Sequence, residues 1–214
     1  MEKIDLYNAY FHGIRPPCDE KGFTKSNELM ILESILKHGA IYSRRQMEEL
    51  GIKTKMNNNL NRNGADNVSI CEKDGFEYAI SDAYLNWVQN HITIILAKDM
   101  PNCEFVDERE LQAIDGEWQV KDQIPAKYFL GIGIPRGTST YKQIAKEISW
   151  LSDSKEHFIK RLEDFFEKRH IGTVKRLLAR YGYNLKLYDL DEGEEILSAK
   201  EYADELFRED ESCL

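Results

Sequence analysis

The sequence predicts an α+β fold: a strand-rich unit over residues 1–136 with a mostly helical region, 137–214, packed on it. Three observations lead there. Short runs of strand length, such as "ITIILA" (92–97), recur up to Pro135. Beyond Pro135, three consecutive segments carry apolar residues at helical spacing. No internal repeat or low-complexity linker interrupts either part.

Taken in order, "LYNAYFHGI" (6–14) reads as a first strand closed by glycine. "RPPCDEKG" (15–22) is a loop, because Pro16 and Pro17 lack backbone donors. "SNELMILESILKHG" (26–39) is a helix: Ser26 or Asn27 caps it, Leu29, Leu32, Ile35 and Leu36 form its stripe, and Gly39 stops it. "SRRQMEEL" (43–50) is a short second helix, and the polar 53–67 stretch is a long loop. Strands are expected at 68–73 and 76–81 around Asp74-Gly75, then at 92–97. A helical turn at 107–114 leads into strands at 117–121 and 128–134. Helices follow at 140–151, 155–170 and 173–182, then a strand within 183–190 and an acidic tail that begins as a helix.

A chain of 214 residues accommodates one large domain or one domain with an appendage. With 42% hydrophobic residues it can build a sizeable core, which argues against global disorder. The net charge of −9 and the lack of a long basic run disfavour a nucleic-acid partner held by charge, and favour a protein. Cys18, Cys71, Cys103 and Cys213 show no CxxC pairing, so free thiols in a reducing compartment are expected rather than zinc. The N-terminus shows no basic n-region, and the apolar runs are too short to span a bilayer. A soluble, cytoplasmic protein is therefore expected, or one delivered into a target cell without a classical signal peptide.

The candidate chemistry is spread over about a hundred positions, as a cleft built from several strand ends would be. His12, at the end of the first strand, can donate from one ring nitrogen and accept at the other, which suits a ribose or amide. Gly13 lets a ligand approach the backbone. Ser69 alternates with Val68 and Ile70 and so faces away from them. Arg44 and Arg45 could clamp a diphosphate. Glu117 opens its strand on the Gln119 face, opposite Trp118 and Val120, and a carboxylate there can stabilise a developing oxocarbenium ion. Each also has a plain reading: a half-buried strand-end histidine, a small polar strand residue, a solvated helix start, a strand-edge acid.

In this order the residues resemble the ADP-ribosyltransferase fold, over roughly residues 7–135. The resemblance is carried by Tyr10-Phe11-His12-Gly13, by "LESILKHG" (32–39), by Asn67-Val68-Ser69-Ile70, and by "EWQV" (117–120) leading to "IPAKYFLGI" (124–132). It implies a split β-sheet core and NAD, as substrate, bound in a cleft between two small sheets. His12 would hold a ribose, the Gly13 backbone would lie near the nicotinamide amide, Ser69 would support the cleft, and Glu117 would be the catalytic carboxylate. Asp115 stands two residues before Glu117, where the arginine-modifying branch carries a glutamate or glutamine, and Tyr78 and Tyr84 are candidates for a middle tyrosine. The implied activity is an NAD-dependent mono-ADP-ribosyltransferase, an effector or toxin acting on a macromolecule, with protein favoured as acceptor. The alternative is a non-catalytic interaction protein, a degenerate copy of that fold whose helices at 155–182 form the working surface.

Overall fold

The computed structural model describes residues 2–14, 25–52, 65–73, 91–106, 117–135 and 139–207; at residues 25–27, 106 and 117 it describes the backbone alone. The apolar run at 92–97 forms β4 (Thr93–Ala97), with Ile94, Ile95 and Leu96 fully buried. A strand apolar on both faces must be covered on both. β1 (Ala9–Gly13) pairs with it antiparallel along all five residues, from Ala9↔Ala97 to Gly13↔Thr93. β8 (Phe129–Ile134) pairs on its other side.

Outward from β1 come β3 (Asn67–Glu72), β6 (Glu117–Lys121) and β5 (Cys103–Val106); beyond β8 comes β9 (Lys186–Asp189). The seven-stranded order is β5-β6-β3-β1-β4-β8-β9, antiparallel throughout except for the parallel β8–β9 pair. A separate two-stranded sheet joins β2 (Ala40–Tyr42) to β7 (Gln123–Pro125).

The described residues also hold six helices. α1 (Lys25–His38) ends at Gly39, whose φ of +74° suits glycine and whose N–H returns to the Ile35 carbonyl. α2 (Arg44–Glu49) is capped by the Ser43 hydroxyl, which accepts from the Gln46 N–H. α3 (Tyr141–Trp150) and α6 (Ala199–Leu206) open on reciprocal capping boxes, Thr140 with Gln143 and Ser198 with Glu201. α4 (Lys155–Lys168) and α5 (Ile171–Arg180) complete the set.

The inward stripes of α4 (Phe158, Leu162, Phe166) and α5 (Val174, Leu177, Leu178) are buried with Ile94 and Ile132 in one core. The 155–182 helices thus spend their apolar faces on packing. A smaller cluster of Leu6, Ala9, Phe11, Ile95, Tyr188 and Leu190 covers the other face of the sheet. Gly131 and Gly133 make that second layer possible. A Cβ at Gly133 would sit 2.2 Å from Leu190 Cδ2, and one at Gly131 would sit 2.6 Å from Tyr188 Cε2.

The structure adjusts several expected elements. The first strand begins at Ala9; residues 6–8 form a 3₁₀ turn in which the Asp5 carboxylate accepts from the Tyr7 N–H. α5 begins at Ile171, two residues before the expected start, after His170 in the left-handed region. β2, β5 and β7 have three or four residues each, too few for alternation to stand out. The strand expected at 76–81, the loop at 15–22 and the turn at 107–114 lie outside the described residues. Among the described residues, no helix is long and apolar enough to cross a membrane.

Candidate functional site

β3 is where the candidate residues converge. β1 pairs with β4 along its whole length, yet meets β3 at only two positions, Tyr10↔Glu72 and Phe11↔Cys71. Backbone groups freed where a ladder stops need other partners. At the next residue the imidazole of His12 takes that role: its Nδ1 lies 3.0 Å from the Ser69 carbonyl oxygen. A carbonyl only accepts, so Nδ1 carries the proton, and in the neutral ring Nε2 keeps its lone pair. Burial pushes the His12 pKa below its ordinary value of 6.5, with the bond to Ser69 acting in the opposite direction. The ring is therefore neutral near pH 7.

Alternation explains why the link uses main chain. Tyr10 and Ile14 flank His12 and belong to the large core, as do Val68 and Ile70. The Ser69 side chain falls on the other face, where its backbone partner is Gln119. Ser69 therefore meets His12 through its carbonyl and not through its hydroxyl.

Beside Ser69 lies a pair that motif reasoning missed. Asn67 Nδ2 donates to Gln119 Oε1 at 2.5 Å, and Gln119 is buried. A glutamine alternating with Trp118 and Val120 was the one signal available.

Arg44 is the first residue of α2, and Arg45 beside it pairs with Asp66, just ahead of β3. The Arg45 N–H donates to the Ala65 carbonyl, and the Ser43 N–H to that of Asp122. Arg45 is thus committed to a carboxylate of this chain instead of standing open as a diphosphate clamp. As a half-exposed pair it adds little stability.

Glu117 opens β6, with its backbone paired to Val106. Its side chain, like Asp115, Tyr78 and Tyr84, lies outside the described residues. With β3 between β6 and β1, its backbone is two strand spacings from β1, about 9.5 Å.

Gly13 pairs with Thr93 at the open end of β1, where the Ile14 N–H donates to the Ile92 carbonyl. A second unforeseen pair sits there. The buried carboxylate of Glu28, in the first turn of α1, contacts His91 Nδ1 at 2.5 Å and accepts the Ile92 N–H at 3.1 Å. It pins α1 to the start of β4. No sequence spacing announces a link across 63 residues.

The described residues also enclose a groove of ≈ 630 Å³ on the outer side of α1, and His12, Gly13 and Ser69 do not line it. Among the described residues no three His, Cys, Asp or Glu side chains group as a metal site, and the Cys71 thiol donates to the Phe11 carbonyl at 3.8 Å. Models of known protein families, curated proteins and solved structures yield no match to this chain.

Proposed function

We propose that the protein is an NAD-dependent mono-ADP-ribosyltransferase that transfers ADP-ribose to a macromolecular acceptor, with protein favoured over nucleic acid. The observation that carries this reading is the neutral His12 imidazole, locked through Nδ1 to the Ser69 carbonyl where β1 and β3 part. An Nε2 lone pair on a half-buried ring at the parting of two strands suits a ribose hydroxyl, which donates to it. Glu117 opens the strand on the far side of β3.

In this reading His12 holds a ribose and the Gly13 backbone lies by the nicotinamide amide. The Glu117 carboxylate stabilises the cationic sugar as the nicotinamide–ribose bond breaks. Asn67 and Gln119 keep the β3–β6 blade in register beside it. The Arg45–Asp66 pair leaves Arg44 as the remaining arginine for the diphosphate.

Nicotinamide release from NAD, with and without cell lysate, tests the proposal. Turnover that disappears in Glu117→Gln while NAD binding persists supports it; turnover unaffected by that change removes Glu117 from the chemistry. Absence of NAD binding by calorimetry favours the second reading, a non-catalytic interaction protein. One observation speaks for that alternative: the groove formed by the described residues lies on α1, apart from His12.

A further inference from the structure

The groove on α1 combines features that the NAD reading does not use. Its floor is a single helical stripe, Met30, Glu33 or Ser34, and Lys37, so it runs along the α1 axis. Its opposite wall is the end of α2, where Leu50, Gly51 and Ile52 turn away. Met30 and Leu50 are 55% and 52% exposed, so two large apolar side chains stand in solvent on facing walls of one channel. Gly51, at φ +65°, has no atom of the described residues within 4 Å of where a Cβ would stand, which lets another chain come close.

The charges are arranged asymmetrically. Glu33 is already engaged: Arg180 and the Tyr181 hydroxyl both donate to its Oε1 at 2.9 Å. His38 donates from Nδ1 to the Ser34 carbonyl at 2.8 Å, and its own carbonyl accepts from the Tyr42 hydroxyl. Lys37 has no ion pair among the described residues and stands exposed at the last turn of α1. The groove thus offers apolar walls, two tyrosine rings and an ammonium with no ion pair among the described residues, on a protein whose net charge is −9.

We propose that this groove is a docking site for an amphipathic helix of a partner protein. Its apolar side chains pack between Met30 and Leu50, and an aspartate or glutamate on its flank pairs with Lys37. Helix-in-groove recognition uses an apolar channel of this kind, with methionine adapting to the incoming side chains. The inference stands apart from the NAD reading, because docking needs no nucleotide.

The test is selection from a random-peptide display library against the wild-type protein, followed by affinity measurement by fluorescence anisotropy. Leu50→Asp and Lys37→Glu both change exposed side chains, and circular dichroism melts verify that the variants fold. The expected winners are acidic amphipathic peptides that bind Leu50→Asp about tenfold or more weakly. They also weaken on Lys37→Glu, and a peptide with its acid replaced by lysine recovers affinity for that variant. Basic winners, or winners indifferent to both substitutions, overturn the proposal. A dimer in sedimentation that Leu50→Asp dissolves also overturns it, assigning the groove to a second copy of this chain.

Discussion

Replacing His12 by alanine tests the central link of the candidate site, and its consequences can be worked out. The change removes one buried hydrogen bond, a net loss of about 0.5–1.5 kcal/mol, and leaves a ring-sized space at the parting of β1 and β3. Together these destabilise the fold by about 2–3 kcal/mol. Ser69→Ala keeps the carbonyl that His12 uses, so it costs under about 1 kcal/mol.

Protonation adds a second signature. The unfolded chain binds a proton near the ordinary 6.5, while burial holds the folded-state value lower. Between those two values the unfolded chain binds more protons, so stability falls as pH drops through 6.5. It levels off once the folded form is protonated too. The slope from this group reaches at most about 1.4 kcal/mol per pH unit, and His12→Gln removes it. Urea unfolding followed by circular dichroism at a series of pH values reads both effects. For the ligand, losing a hydroxyl–imidazole bond weakens NAD binding by about twofold to tenfold in His12→Ala. Unchanged NAD affinity in that variant refutes the ribose assignment. If Ser69→Ala destabilises as much as His12→Ala, the main-chain link itself is refuted.

Glu117→Gln abolishes nicotinamide release with NAD affinity retained, checked by calorimetry beside a turnover assay. Gly133→Ala destabilises the protein by about 1–3 kcal/mol, because the new methyl meets Leu190 Cδ2 at 2.2 Å; Leu190→Ala in the same chain recovers part of that loss in urea titrations. Glu28→Ala costs about 2–3 kcal/mol by removing the acceptor of the Ile92 N–H and the partner of His91, with hydrogen exchange at Ile92 rising more than at Ile95. Ser43→Ala lowers stability by about 1 kcal/mol through loss of the α2 cap, measured by thermal melting.

Long periodic segments were legible in the sequence. α1 and the helices after Pro135 were readable because each repeats its apolar spacing over ten or more residues, except α6, which is shorter but opens on the Ser198–Glu201 capping box. β4 was readable because a strand buried on both faces is continuously apolar. The two-stranded β2–β7 sheet was not, since three residues cannot display a period; Asp122, in the left-handed region, makes the corner between β6 and β7 without a glycine to mark it. His12 and Ser69 could be singled out, but the bond between them uses a backbone oxygen, which no side-chain pattern encodes. The Glu28–His91 and Asn67–Gln119 pairs are long-range in sequence and carry no motif. The α1 groove escaped notice because its walls come from four elements, each ordinary by itself.

The β8–β9 pairing shapes how the polypeptide can mature on the ribosome. Glu2 and Ile4 bond to the backbone of Glu195 and Gly193, and the Lys186 ammonium reaches the Glu2 carboxylate at 2.6 Å, so residues 2–4 wait for residues 186–195 to be made. Until β9 emerges, β8 presents a bare hydrogen-bonding rim with two glycines and little charge, which invites intermolecular pairing. Products interrupted before Lys186 should accordingly accumulate as insoluble material, whatever the competence of the strands already made.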